Sequence, residues 1–119
     1  SKIYYAENME TVGENMKIEA KKYDNPIAVI FHTNWCSYCR VFFPIFKEYF
    51  KGIGMEYDEI RIDNYDDSVW NFFQIEAVPT VIIFRKGKQI ARRDSFQGNG
   101  LVRKDMISLT EEVNSKTRK

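Results

Sequence analysis

The apolar residues along this chain occur either in short unbroken runs or at helical spacing. The clearest run, Pro26–Phe31, is rich in β-branched residues and predicts a strand that is buried on both faces. Soon after it, apolar residues recur with the spacing of one helix face; they are Val41, Phe42, Ile45, Phe46, Tyr49 and Phe50. The pattern therefore predicts that a buried strand leads into an amphipathic helix.

Similar patterns predict the remaining elements. Four further runs are typical of strands: Ile3–Tyr5, Met55–Ile62, Pro79–Phe84 and Gln89–Arg93. Three further segments have helical spacing: Asn8–Ala20, Val69–Phe73 and Leu101–Val113. We expect Asp63 and Asn64 to cap the short helix, and we expect Pro44 to kink the helix that contains it, because proline lacks a backbone donor.

From Pro26 onward, the predicted elements follow the order βαβαββα, which indicates an α/β fold with a central mixed sheet flanked by helices. A chain of 119 residues with 44% hydrophobic content is long enough for one domain with its own core. We expect residues 1–119 to form a single domain whose core spans about residues 3–113. The basic end, residues 114–119, is predicted to be a frayed tail.

Charge and composition exclude several classes of function. The 18 Lys and Arg residues nearly balance the 17 Asp and Glu residues, so no basic surface for nucleic acid is indicated. No apolar stretch approaches the roughly 20 residues that a membrane-spanning helix needs. Both cysteines lie in one short motif, which suits a reducing compartment, and we expect a cytoplasmic protein. An extracytoplasmic location would require that a signal segment has been removed.

The strongest chemical signal is the motif Trp35-Cys36-Ser37-Tyr38-Cys39, which lies at the predicted strand-to-helix junction. Two cysteines at this spacing can form a reversible disulfide if the first one stands at the start of a helix. Unpaired N–H groups and the helix dipole at that end favour a thiolate, which is the nucleophile in disulfide exchange. The motif therefore predicts a redox-active dithiol.

Two other interpretations of the cysteines remain open. A structural zinc site needs four ligands, and the chain offers only His32 beyond the two cysteines. His32, Cys36 and Cys39 could supply three ligands, or two chains could share a metal ion or an iron–sulfur cluster. A purely structural disulfide is the second interpretation, but so short a loop constrains the unfolded chain only weakly.

Together with three further features, the cysteine motif resembles the thioredoxin family. These features are Pro44 beyond the second cysteine, Asp63 at the end of the third strand, and Val78-Pro79-Thr80 at the start of the next strand. The resemblance extends from about residue 3 to residue 113 and implies the thioredoxin fold. It also implies a cis peptide bond at Pro79 and a Val78 backbone that is offered to an extended substrate.

The resemblance implies thiol–disulfide exchange with proteins. Cys36 would attack a substrate disulfide, and Cys39 would resolve the resulting mixed disulfide. Contacts to the substrate are expected from Trp35, Ser37, Tyr38, Val78, Pro79 and the segment Phe96–Gly98. No cofactor and no metal are implied. The partners would be protein disulfides and a dithiol reductase, and the protein would be a monomer.

Several residues depart from the usual thioredoxin pattern. Ser37 and Tyr38 replace the Gly-Pro that thioredoxins usually carry between the cysteines, which can shift the reduction potential by roughly tens of millivolts. Ile30 stands where the family has a buried aspartate, and Glu59 matches the lysine neighbour of that aspartate. Glu59 is therefore a candidate proton carrier for the second cysteine, and an exposed surface glutamate is the alternative.

His32 and Arg40 flank the motif and are candidates for stabilising the Cys36 thiolate by positive charge. A packed histidine and a solvated arginine on the helix face are the alternatives. We expect a protein-disulfide reductase. The other functions compatible with the sequence are a disulfide oxidase or isomerase, and a non-catalytic binding module whose CxxC serves regulation or a shared metal or iron–sulfur site.

Overall fold

The computed structural model describes residues 3–5, 25–86, 88–96 and 99–117, and for the first of these ranges it describes the backbone only. The helix predicted over Asn8–Ala20 lies outside the described residues. Five strands are described: β1 (Ile3–Tyr5), β2 (Ile27–His32), β3 (Glu56–Arg61), β4 (Thr80–Arg85) and β5 (Lys88–Asp94). Three helices are described: α1 (Ser37–Ile53), α2 (Ser68–Phe72) and α3 (Arg103–Thr117).

These strands join one sheet in the order β1-β3-β2-β4-β5. β1, β3 and β2 are parallel, whereas β4 is antiparallel to β2, and β5 is antiparallel to β4. The predicted mixed sheet is thus confirmed, and its strand boundaries differ from the predicted ones by one residue at most ends. The hairpin between β4 and β5 lies where the sequence predicts it, with a positive φ of 54° at Lys86.

The central strand β2 is buried along its whole length, as its continuous apolar sequence predicts. Because successive side chains point to opposite faces, Val29 and Phe31 pack on one side of the sheet and Ala28 and Ile30 on the other. The first side packs against Val69 and Trp70 of α2 and against Phe73, which follows that helix directly. The second side meets α1 and α3 through Phe42, Phe46, Phe50, Met106 and Leu109.

Helix α1 is held in place by its aromatic face, which packs on β2. It continues through Pro44, which lies inside the helix, and it ends at Gly54. Gly54 has a φ of 72°, in the left-handed region that favours glycine, and its N–H bonds to the carbonyl groups of Lys51 and Phe50. The packing along the helix therefore fixes α1, with its cysteine-bearing first turn, against the sheet, and the glycine cap ends it.

Two expectations from the sequence are wrong. Asp67, and not Asp63 or Asn64, is the N-cap residue of α2. The Asp63 carboxylate instead accepts a hydrogen bond from the Asn34 N–H at 2.8 Å and forms an ion pair with the Arg61 guanidinium at 2.6 Å. The Asn64 side chain accepts the N–H of Asp66 at 2.9 Å and so closes a local turn.

The second wrong expectation is the frayed tail at residues 114–119. Helix α3 continues to Thr117, and only residues 118–119 of the expected tail lie outside the described residues. The Lys116 ammonium group explains this, because it donates to the Ile90 carbonyl at 2.6 Å and pairs with Glu112 at 2.8 Å. The end of the helix is therefore attached to strand β5.

Candidate active site

Cys36 occupies the N-cap position of α1, directly before the first helical turn. Its backbone is extended, with φ −99° and ψ 117°, and its sulfur accepts the backbone N–H of Cys39 at 3.1 Å. A capping side chain of this kind replaces one of the hydrogen bonds that a helix start lacks. Both cysteines are free thiols, and the capping bond holds the two residues together at the end of the helix.

The loop before β4 faces the Cys36 sulfur. The Val78–Pro79 peptide bond is cis, and the Cys36 thiol points to the Val78 carbonyl oxygen at 3.6 Å. The Pro79 carbonyl accepts both the backbone N–H and the hydroxyl of Ser95. The Thr80 hydroxyl donates to the Ala77 carbonyl at 2.8 Å. Hydrogen bonds on either side therefore fix the backbone that lies beside the sulfur.

Cys39 lies deeper than Cys36, with 1% of its surface exposed. Burial raises the pKa of the Cys39 thiol far above its ordinary value, and its hydrogen bond with Cys36 acts in the same direction. The backbone and the hydroxyl of Thr33 oppose this shift and lower the pKa. Cys39 is therefore a protonated thiol at neutral pH.

An open cleft of about 300 Å³, here called the outer cleft, lies on one side of the dithiol. Its lining residues are Trp35, Cys36, Ser37, Tyr38, Tyr65, Trp70, Glu76, Ala77, Val78 and Phe96. The predicted contact residues Trp35, Ser37, Tyr38 and Val78 thus come together, and Pro79 follows directly in the chain. Of the predicted segment Phe96–Gly98, Phe96 lines the cleft and is 77% exposed, whereas Gln97 and Gly98 lie outside the described residues.

Tyr65, Trp70, Glu76 and Ala77 also line the outer cleft, although none of them was a predicted site residue. The Tyr65 ring lies between two indole rings: it stacks on Trp70 at a centroid distance of 5.1 Å and is tilted by 34° against Trp35 at 5.0 Å. Ala77 precedes Val78 directly, so the sequence alone could have predicted that it lies next to the site. Tyr65 had no such signal, because only the tertiary fold brings it to Trp35.

A second cavity of about 400 Å³, here called the inner cavity, lies on the other side of the dithiol. Its lining residues are His32, Thr33, Asn34, Cys36, Cys39, Arg40, Phe43, Pro44, Glu59 and Arg61. The three residues predicted to tune the thiols, His32, Arg40 and Glu59, therefore all reach this one cavity. Arg40 is exposed at its rim.

Glu59 and His32 form a pair in the inner cavity. Glu59 is the sheet neighbour of Ile30, and its Oε1 lies 3.2 Å from His32 Nε2. The two side chains are 16% and 11% exposed, which rules out the interpretation of Glu59 as a fully exposed surface glutamate. The His32 ring also stacks on Phe43 with a centroid distance of 4.7 Å. The pair is thus a partly buried acid–imidazole unit beside the dithiol.

Within the described part of the chain, no three side chains of His, Cys, Asp or Glu lie close enough together to hold a metal ion. This includes the set His32, Cys36 and Cys39 that the sequence offers. None of the described helices is long and apolar enough to cross a membrane.

Comparisons with known proteins agree on one family. The family model for thioredoxin matches residues 7–110. Thioredoxin Y of rice, named as chloroplastic, is 32% identical over 99 residues, which cover 72% of this chain and 57% of that protein. The thioredoxin of Rickettsia bellii is 33% identical over 73 residues, which cover 60% of this chain and 69% of that protein. The chain spans about half the length of the plant thioredoxins Y that it matches.

The fold has close counterparts among solved structures. The crystal structure of Chlamydomonas reinhardtii thioredoxin f2 aligns with 99% of this chain and 99% of its own, with a TM-score of 0.72. The sequence identity is 14%, so this similarity concerns the fold, which is the thioredoxin fold predicted from the sequence.

The different depths of the two thiols lead to a labelling prediction. With limiting iodoacetamide at about pH 7, Cys36 should be alkylated well before Cys39, because Cys36 lines both cavities and Cys39 is a buried, protonated thiol. Raising the pH should increase labelling of Cys39 by about tenfold per unit, since its thiolate fraction grows in that proportion below a raised pKa. Peptide mass spectrometry measures both sites. Equal labelling of the two thiols at neutral pH would contradict the assignment.

Proposed function

Because the chain belongs to the thioredoxin family, we propose that it is a thiol–disulfide oxidoreductase that reduces disulfide bonds in proteins. The observation that carries this proposal is the position of Cys36. Its sulfur caps α1, borders the outer cleft, and faces the Val78 carbonyl at 3.6 Å. A nucleophilic sulfur at a helix start, beside a backbone segment that lines the cleft, suits attack on an extended disulfide-bearing segment.

The reaction proceeds in two exchange steps. The Cys36 thiolate attacks one sulfur of the substrate disulfide, forming a Cys36–substrate disulfide and releasing the other substrate sulfur as a thiolate that takes up a proton. Cys39 then loses its proton and attacks Cys36 Sγ, which releases the second substrate sulfur. The substrate gains two electrons, and the protein is left with a Cys36–Cys39 disulfide. A dithiol reductase returns it to the reduced state.

The outer cleft supplies the contacts to the substrate. Trp35 is 46% exposed and Tyr38 is 44% exposed, although each has a large apolar ring. The Trp35 indole N–H donates to the Asp63 carbonyl at 2.8 Å, which holds the ring at the edge of the cleft. Exposed aromatic rings of fixed orientation give contact area at a low cost in side-chain entropy. Ser37 and Val78 line the same cleft next to the sulfur, and Pro79, which is buried, follows Val78 directly.

Glu59 is the group that we propose takes the proton from Cys39. Ile30 leaves the usual position of the family's buried acid without a titratable group, and Glu59 borders the same cavity as the Cys39 thiol. The nearby His32 orients the carboxylate, and Arg40 adds positive charge at the rim. A partly desolvated carboxylate next to a buried thiol is suited to general-base catalysis.

We further propose that this domain is monomeric and works in a reducing compartment, without a cofactor, nucleic acid or membrane as partner. A domain with two cysteines, both in the active motif, depends on no structural disulfide. The cytoplasm is the location that we expect. The plant relatives are named as chloroplastic, and the stroma would meet the same redox requirement.

The two-step reaction predicts different behaviour of the two cysteine variants. Cys39→Ser should accumulate mixed disulfides with proteins in a cell extract, because the first step survives and the resolving step is lost. Cys36→Ser should trap few. Adducts are counted on non-reducing gels before and after dithiothreitol. If neither variant forms reducible adducts, while the same cysteine variant of a standard thioredoxin does, the binding-module interpretation replaces the catalytic one.

The direction of electron flow is tested by the reduction potential of the Cys36–Cys39 pair. We expect a potential below roughly −220 mV, on the side of thioredoxin at about −270 mV rather than of DsbA at about −120 mV. The pair is equilibrated with glutathione buffers of graded composition, and the reduced fraction is measured by thiol labelling. A potential of about −180 mV or above would reassign the protein as a disulfide oxidase or isomerase.

The proposed role of Glu59 predicts a slower reaction in Glu59→Gln. The amide keeps the shape and an oxygen for His32 but accepts no proton, so insulin-disulfide reduction should fall by about 10²-fold, a typical lower bound for loss of a general base. Glu56→Gln is the matched control, since Glu56 is exposed at the start of the same strand. If both variants reduce insulin at the rate of the parent protein, Glu59 has no part in proton transfer.

A further inference from the structure

Thr33 has an unusual environment for a hydroxyl group. It follows the last residue of β2 directly, and 3% of its surface is exposed. Its Oγ1 is buried and makes no hydrogen bond to any described residue. Buried hydroxyl groups are nearly always hydrogen-bonded, because they lose their hydration on folding, so an exception needs a physical explanation.

The neighbouring group that explains it is the thiol of Cys39. Both residues line the inner cavity. The hydroxyl and the backbone of Thr33 both lower the pKa of Cys39, against the larger effect of burial. A hydroxyl that favours the ionised form of a neighbour is one that can donate to it. Thr33 therefore shares the inner cavity with the Cys39 thiol, close enough for its hydroxyl to influence the ionisation of that thiol.

We propose that the Thr33 hydroxyl is a hydrogen-bond donor reserved for the Cys39 thiolate, which exists only during the resolving step. This inference rests on the proposed function. A protonated thiol is a weak acceptor, so the hydroxyl is without a good partner in the reduced protein. Once the proton leaves Cys39, the sulfur carries a full charge, and the bond becomes a strong charge-assisted one. The Thr33 hydroxyl thus has a strong hydrogen-bond acceptor only while Cys39 is a thiolate, during the resolving step.

The inner cavity contains other charged and titratable groups besides Cys39, but the pairing of these groups leaves the role of donor to Thr33. Cys36 and Arg40 face the inner cavity from α1, His32 from β2, and Glu59 and Arg61 from β3. The Arg61 guanidinium is engaged by Asp63, and His32 is paired with Glu59. Thr33 is a neutral donor, so its hydrogen bond does not depend on the charge of these groups.

In the resolving step, the Cys39 proton passes to the general base, and the Thr33 O–H group donates to the sulfur left behind. The thiolate then forms a bond to Cys36 Sγ, and the bond between Cys36 and the substrate sulfur breaks. The hydroxyl neither gains nor loses a proton. Its role is to stabilise the charge on Cys39 before the attack, which increases the fraction of Cys39 that is ionised at a given pH.

The test uses Thr33→Val, which keeps the β-branched shape and removes the donor, and Thr33→Ser, which keeps the donor. Each protein receives one thionitrobenzoate group on Cys36, and release of the coloured thiol by Cys39 is followed in stopped flow. Thr33→Val should release it about tenfold more slowly, the order expected for loss of one hydrogen bond to a charged group, whereas Thr33→Ser should stay within about threefold of the parent. This readout needs no protein substrate, so it stands even if the proposed function fails.

Two further measurements separate a role in the reaction from a role in packing. Formation of the adduct on Cys36 should proceed at the same rate in all three proteins, in a Cys39→Ser background. The denaturation midpoint of Thr33→Val should equal or exceed that of the parent, because an apolar group replaces a buried hydroxyl that has no partner. Parent-like release by Thr33→Val, equal slowing in both variants, or a marked loss of stability in Thr33→Val would each overturn the proposal.

Discussion

The whole site depends on the hydrogen bond from the Cys39 N–H to the Cys36 sulfur, because this bond places the dithiol at the first turn of α1. This first turn is held in position because β2, the strand before it, is itself fixed. β2 is buried in the centre of the sheet, and its last carbonyl, that of His32, accepts the N–H of Ile62 at 2.9 Å. Asp63 then holds the loop after β2 by its bond to the Asn34 N–H. The two residues that follow β3, Ile62 and Asp63, thus hold the strand-to-helix junction in which the cysteines lie.

The dithiol separates two environments with different tasks. The outer cleft is rich in exposed rings and contains the backbone edge at Val78, which suits contact with another protein. The inner cavity holds the His32–Glu59 pair, Arg40 and the buried Cys39 thiol, which suits proton transfer and charge stabilisation. Cys36 borders both, so its sulfur can meet a substrate on one side and Cys39 on the other. This division follows from the place of each residue on a strand or helix end.

Most of the fold was predictable because its strongest signals are local. The apolar run at β2, the helical spacing along α1 and the cysteine motif between them specify the junction without any tertiary information. The wrong predictions concern side chains that have several possible partners in the folded protein. Asp63 has the chemistry of a cap, yet it binds Asn34 and Arg61, and Lys116 extends α3 by reaching Ile90 on β5. Likewise, Tyr65 enters the outer cleft only because the fold brings its ring against Trp35.

Tyr38 shows how the chain can do without the proline that usually stiffens the segment between the cysteines. Its ring packs directly over Gly100, where an added Cβ would lie 2.7 Å from Tyr38 Cδ1. Gly100 also has a φ of 65°, in the left-handed region, so both space and backbone geometry require glycine there. It pairs with Phe96 across an isolated bridge, which ties this contact to the rim of the outer cleft. The restraint that proline would provide within the turn is thus supplied by packing against a distant loop, which couples the conformation of the CxxC segment to the surface that meets the substrate.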